Sequence, residues 1–225
     1  MGSRGVTMQG MSTPGLRDRK KAETRTRIAN ATVDLLVNEG AEGTSIARIA
    51  EKANISTRTF HNYFPHREAA LLHMLNQFLA EMVDMVNLAE PGKKLISIAE
   101  DIAISFYNRP AASPTSIESL SRIADHLHGT PPHLRAELLG DIDRRFHSGL
   151  EFFSPLVQAL QDYSHREGKE LSTANALLVV QTILLVPGIF TALEQDGSPS
   201  TDSDVRNTFH SVSYTHLTLP TICSV

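Results

Sequence analysis

The chain contains one cysteine, Cys223, close to its C-terminal end, and no tryptophan. A lone thiol excludes an intrachain disulfide framework and any cysteine-rich zinc site. No apolar run near the start has the form of a secretory signal, so a reducing, cytoplasmic setting is the expectation. Period-2 alternation of useful length is missing, and no hairpin dipeptide separates two alternating runs, which argues against strands. There is no Gly-x-Ser-x-Gly, no Walker loop and no dinucleotide fingerprint. No serine stands in a catalytic motif and no cysteine lies in the body, so no nucleophile and base can be paired. The expectation is a protein that is not an enzyme and uses no cofactor.

Histidine is plentiful, with ten in 225 residues, so a metal site must be weighed. His126 and His128 are two apart, which on a helix turns them about 200° from each other. His133 lies beyond Pro131-Pro132, and Asp141 sits four before Arg145 as an ordinary surface pair. These residues read as solvated, and no metal is expected.

What is present is ordinary globular material, 41% hydrophobic and 20% charged. The length is enough to bury a core without staples. The net charge of -4 conceals an asymmetry. Residues 1–70 carry 11 Lys and Arg against 7 Asp and Glu, whereas residues 71–225 carry 10 against 18. A basic front on an acidic body suits an anionic partner, and nucleic acid is the common case.

Helical spacing recurs along the chain. Residues 1–15 lack periodicity and read as a disordered arm. Ile28, Ala31, Leu35 and Leu36 share one face of a first helix that Gly40 ends. A second, capped by Thr44 or Ser45, turns Ile46, Ile49, Ala50 and Ala53 inward. A third, capped by Ser56 or Thr57, carries Phe60, Tyr63 and Phe64 and stops at Pro65. Further helices are expected at 67–89, from about 95 to before Pro110, at about 115–128, in a long stretch through Leu138, Phe146, Phe153 and Leu160, and at 174–193. Pro155 is expected to bend or break that long stretch. A ninth helix could begin at 204–210. The fold class is therefore all-α: a three-helix N-terminal unit, residues 16–65, ahead of a larger helical body, residues 66–211.

Residues 174–193 are apolar nearly all round, so a membrane span competes with a buried helix. Gln181, Thr182, Pro187 and Gly188 interrupt the run and no Lys or Arg anchors its ends. A buried helix in a core or oligomer interface is expected, and no membrane partner. Residues 212–225 abruptly lose charge and turn rich in Thr and β-branched residues. They read as a tail foreign to the native chain.

Residues 44–64, TSIARIAEKANISTRTFHNYF, carry the functional signal. Ala50 and Ala53 let two short helices cross closely, Ile55 plugs the corner, and Phe60 and Phe64 pin the second helix from beneath. The outer face of that helix then holds Thr57, Arg58, His61 and Asn62, with Tyr63 at its edge. Donors and acceptors on short or planar side chains are what groove readout needs. Ser56 and Thr57 lie at its N-terminus, where free N–H groups favour phosphate oxygen. The pattern is a helix-turn-helix, whose second helix enters the major groove.

Residues 25–72 resemble the DNA-binding region of the TetR family of transcriptional regulators. The matching residues include Arg27-Ile28, Ala31, Gly40, Thr44-Ser45, Ile49-Ala50, Ala53, Ile55-Ser56, Thr59-Phe60, Tyr63-Phe64, Arg67-Glu68 and Leu71. The resemblance implies that Thr57, Arg58, Thr59 and His61 face the groove. Asn62 and Tyr63 would reach bases or adjacent phosphates. Ser45 and Arg48 would touch the backbone from the second helix, and Arg67, where the family usually has Lys, would hold a phosphate. Asn54 stands at the turn where Gly is usual, and Asn tolerates positive φ. His66 is assigned no role.

The same resemblance implies a ligand-responsive regulator, most readily a repressor, binding a near-palindromic double-stranded DNA operator as a homodimer. The last helices would pair two subunits, and a pocket in the body would take a small-molecule effector of unknown identity. Phe106, Phe146 and Phe153 are candidate pocket residues. Gln181 and Thr182, polar in an apolar helix, need partners if buried, which a ligand, a second subunit or neighbouring helices could supply. The competing reading is a helical binding protein whose basic N-terminal face meets non-specific acidic partners or a membrane surface.

Overall fold

Helix α1 (Leu16–Gly43) opens the computed structural model, which describes residues 15–130, 152–198 and 200–217. Its ladder breaks at Gly40, whose φ of 71° lies in the left-handed region, so the sequence's stop signal acts where expected. The last turn is closed by Thr44, whose hydroxyl donates to the Gly40 carbonyl at 2.7 Å. Helices α2 (Ile46–Lys52) and α3 (Thr57–Tyr63) follow. Ser45 and Ser56 supply the two caps, each accepting from the backbone N–H three residues on. Between them Asn54 takes φ 51°. The asparagine thus takes the place of a turn glycine.

Ile28, Ala31, Leu35, Ile49, Ala53, Phe60, Phe64 and Ala70 form one small apolar cluster. Phe60 and Phe64 are fully buried in it, and their rings lie 6.1 Å apart. Neither α2 nor α3 is long enough to persist alone. Burying each large side chain, at roughly 1.5–3 kcal/mol, is what holds them.

The body begins with α4 (Arg67–Asn87), then α5 (Leu95–Tyr107), α6 (Ile117–Gly129), α7 (Ser154–Arg166), α8 (Thr173–Gln195) and α9 (Asp202–Leu217). All nine elements among the described residues are helices. A second, larger apolar cluster fills the body. Helix α8 packs on α5, α6, α7 and α9, while α4 packs on α1, α5, α6 and α7. Helix α6 touches α1 as well, so it lies between the first helix and the body.

The expected long stretch is divided at Pro155: residues 152 and 153 form a turn, and the proline sits in the first turn of α7, where its missing N–H is harmless. The remainder of that expected helix, with Phe146, lies outside the described residues. Helix α9 continues to Leu217, past residue 211 where the helical pattern was expected to end.

Helix α8 has the length and apolarity to cross a membrane, yet one side of it is core. Ala176, Val179, Val180, Ile183, Val186 and Phe190 are buried against its neighbours. Its other side exposes Leu178, Leu185, Ile189 and Leu193, each between 38% and 55% accessible. These four follow one another at seven- and four-residue steps, a single stripe along the helix.

Candidate nucleic-acid interface

Helix α3 presents its polar side outward. Thr57, Arg58, His61 and Asn62 are exposed, and among the described residues no carboxylate pairs with Arg58. His61 stands edge-on to Phe60, 5.6 Å between ring centroids. Tyr63 is half-buried at the rim of the small cluster. Thr59 is also half-buried; its hydroxyl lies 2.8 Å from that of Ser56, and together they close the helix start.

The basic start of α1 lies across from this helix. Arg17, Lys20, Lys21 and Thr24, with Asp18 among them, form one wall, basic on balance, of a groove whose other wall is Thr59, Asn62 and Tyr63. Such a groove, cationic on one side and hydrogen-bonding on the other, can seat a phosphate strand while the α3 face reaches base edges. The sequence placed basic residues at 17–27 but did not show that Lys20, Lys21 and Thr24 face α3. That is a tertiary relation between segments some forty residues apart.

Two cations act inside the protein. Arg48 forms a paired contact with the Glu39 carboxylate, Nη2 to Oε1 at 2.8 Å, and donates to the Gly43 carbonyl at 3.2 Å. It remains about half accessible. Arg67 is turned inward rather than left free for a phosphate. Its Nη1 donates to the carbonyls of Ala41 and Thr44 at 2.6 and 3.0 Å, and its Nε donates to Glu68 at 2.8 Å. It therefore ties the start of α4 to the turn between α1 and α2. His66 also has a function the sequence hid: its Nδ1 accepts from the Ala69 N–H at 3.1 Å and caps α4.

Glu68 is buried, and burial alone would raise its carboxyl. The contacts from His126 and Arg67 override that and hold it at about 2. Arg67 is the firmer partner, because His126 Nε2 stands 3.6 Å from Oε1, at ion-pair distance but outside hydrogen-bond reach. That buried Nε2 makes no hydrogen bond. The stabilisation from Glu68 is complete above the usual carboxylate value of 4.5 and is lost only as pH falls through about 2.

Residues 28–74 match the family model described as bacterial regulatory proteins, tetR family. The similarity to that family covers these residues, about a fifth of the chain. A curated relative, the HTH-type transcriptional regulator TcmR of Streptomyces glaucescens, is 36% identical over 59 residues, 26% of each chain. The matched segment is thus about a quarter of that relative's length. Similar solved structures include Salmonella enterica GusR, with 18% identity, a TM-score of 0.59, and coverage of 84% of this chain and 95% of that one. Another is Bacillus subtilis FadR in complex with stearoyl-CoA, with 14% identity, a TM-score of 0.55, and coverage of 83% and 96%. These likenesses extend the tetR-type fold over the helical body.

In that body lies a cavity of about 380 Å³. Helix α4 lines it with Phe78, α6 with Ile117, Ser121 and His128, the turn before α7 with Phe152 and Phe153, and α8 with Leu184 and Gly188. Phe153 therefore lies on the cavity wall. Phe106 does not line it; it is buried beside Phe78, 4.2 Å between ring centroids, with the Arg109 guanidinium 4.0 Å over its ring. Gln181 is exposed next to the apolar stripe of α8. Thr182 is buried and satisfied by its own helix, donating to the Leu178 carbonyl at 2.8 Å. Neither lines the cavity. No cluster suited to a metal ion occurs among the described residues.

Proposed function

We propose that the protein is a ligand-responsive transcriptional regulator that binds a near-palindromic operator as a homodimer and acts as a repressor. The observation that carries this reading is the outward polar face of α3 set beside the cationic start of α1. Thr57, Arg58, His61 and Asn62 read base edges in the major groove. Arg58 fits guanine, whose O6 and N7 accept a guanidinium together. Thr59, Asn62 and Tyr63, with Lys20 and Lys21 opposite, hold the phosphate strand. Ser45 and Arg48 meet the backbone from α2. Arg67 serves indirectly, by fixing α2 and α3 on α4.

Pairing follows from the α8 stripe. Two copies that bury Leu178, Leu185, Ile189 and Leu193 against each other remove that surface from water. Two α3 helices set about 34–36 Å apart would then meet successive major grooves on one side of the duplex. The cavity is the effector site, a reading supported by the fold likeness to a FadR solved with stearoyl-CoA. Helix α6 is the element between the two functions. Ser121 and His128 on one side of it reach the cavity, and His126, nearly opposite, reaches Glu68 and through it Arg67. An effector that shifts α6 alters the seat of the N-terminal domain, so effector and operator each weaken the other's binding.

An operator selected from random duplexes tests this. On that operator Arg58→Ala should lose about 1–3 kcal/mol and relax the preference at one base pair. Equal binding of selected and scrambled duplexes by the wild-type protein would overturn the reading. It would leave a basic helical protein that meets acidic surfaces without sequence preference.

A further inference from the structure

Phe64 closes α3, and three helices meet on its ring. The residue caps α3 in an extended conformation and is fully buried. Phe60 reaches it from α3 itself, 6.1 Å between centroids. From α1 the Arg25 guanidinium lies over the ring at 4.6 Å, and from α4 the His73 ring stands 5.6 Å away, tilted by 52°. A ring face attracts a cation, the more so where water is partly excluded, and Arg25 is half-buried. Lys21, one turn before Arg25, lines the groove beside α3, so a phosphate is the other claim on this guanidinium. One turn after His73, Gln77 Nε2 donates to Thr26 Oγ1 at 3.1 Å, so α1 and α4 are joined beside the cluster. Burial, and after it the Arg25 charge, hold His73 below its usual 6.5. Among the described residues Arg25 is the charge that acts on His73 from α1. The end of α3 offers Phe64, and the α4 residues one turn to either side, Ala69, Ala70, Asn76 and Gln77, are uncharged.

We propose that Arg25 is a positioning residue for the reading helix: its guanidinium, seated on Phe64, holds the end of α3 between α1 and α4, and a proton on His73 loosens that hold. The inference rests on α3 reading the operator and adds what keeps that helix in place. With His73 neutral, imidazole and guanidinium share the Phe64 ring without conflict. An imidazolium there sets two cations around one buried ring, and like charges at a half-buried site repel. One of them gives up its contact, and Phe64 loses its tie to α1 or to α4. The fraction of molecules with α3 held then falls, and apparent affinity for a sequence that α3 must read falls in proportion. Phosphate contacts from the basic start of α1 do not need α3 in place, so binding without sequence preference is spared.

The test uses the purified full chain, an operator selected from random duplexes and a scrambled duplex of the same length. The readout is the ratio of the two affinities, because the field of a duplex acts on both complexes alike. Relative to His73→Gln, the wild-type ratio should fall about threefold between about pH 7.5 and 5.5. That comparison removes any titration of His61 on the reading face. Arg25→Met keeps an apolar stem against the ring and removes the cation. It should lower the ratio about fivefold at neutral pH, with an unchanged salt slope. Histidine NMR gives a reading without DNA: His73 should titrate at higher pH in Arg25→Met than in the wild type. A wild-type ratio that follows that of His73→Gln, or rises above it on acidification, would overturn the inference. So would an unmoved His73 titration in Arg25→Met. A salt slope lowered by nearly one unit in that variant would also overturn it, by making Arg25 a phosphate ligand. Should Arg25→Met fail to fold, the wild type and His73→Gln decide. Equal binding of selected and scrambled duplexes by the wild type rejects the operator reading and the role of Arg25 with it. A sequence preference that is kept, with no acid loss through His73, rejects the role of Arg25 alone.

Discussion

The N-terminal domain and the body are both helical and both packed around phenylalanine, yet they write their functions on opposite sides of their helices. In the domain, the inward residues of α3 are ordinary core, and the outward ones are the proposed reading surface. In the body, the proposed effector surface is itself inward: Phe78 belongs at once to the apolar core and to the cavity wall. A function facing solvent stands out because polar side chains of the right shape interrupt a known periodicity. A function facing inward is written in the same residues as the packing around it.

The largest effect that sharpens this contrast comes from matched truncations. Phe60→Ala and Phe106→Ala remove the same ring from equally buried sites, 0% and 1% accessible. Each should cost about 3–5 kcal/mol of stability in denaturant unfolding. The two should then part: the first should abolish operator binding first, the second should first weaken the binding of a small apolar probe in the body cavity. Loss of both activities in step in both variants would show that domain and body unfold as one unit.

Arg67→Met comes next. It removes the hydrogen bonds to Ala41 and Thr44 and strips Glu68 of its firm partner, at a cost of about 1.5–3 kcal/mol by the same unfolding assay. Operator affinity should fall with an unchanged salt slope, since the donors of Arg67 are taken by Glu68 and by the Ala41 and Thr44 carbonyls. A slope reduced by nearly one unit would make it a phosphate ligand. The pair Lys20→Ala and Lys21→Ala should do the reverse, weakening all duplexes alike with little change in stability. Each phosphate that goes unneutralised should lower the slope by nearly one unit.

Ser56→Ala should cost about 1 kcal/mol, the usual worth of a helix cap. The smallest expected effect is one of pH. Burial, with help from the Arg25 charge, holds His73 below its usual 6.5. As pH falls below that value the unfolded chain takes up a proton that the folded chain resists, so stability declines. His73→Phe should flatten that decline between pH 7.5 and 5.5, measured as the shift in denaturant midpoint against wild type.

Much of the N-terminal domain was legible because its signals are local. Ser45, Asn54, Ser56 and Gly40 each act within a few residues, and the structure places them as caps, turn and stop. The roles of Arg67 and His66 were harder. Arg67 bonds to carbonyls more than twenty residues away, and a cationic side chain at a helix start looks the same whether it awaits a phosphate or closes a turn. In the body, spacing marked the helices but not their junctions. Helical register carries across Pro155, so spacing alone does not show that a new helix begins at Ser154. Phe106 and Phe153 are the same residue type on the same pattern, and only the packing tells core from cavity. The contact of Glu68 with His126 joins residues 58 positions apart and leaves no trace in local order.

The bond from Arg67 to the Ala41 and Thr44 carbonyls has a mechanical consequence. It ties the turn ahead of α2 to the start of α4, so a movement of α4 is passed to the segment that carries the proposed reading helix. The 21 residues of α4 span about 31 Å, so they act as a tiller. A tilt of about 5° at the far end sweeps the tip through roughly 3 Å, comparable to the rise of one base pair.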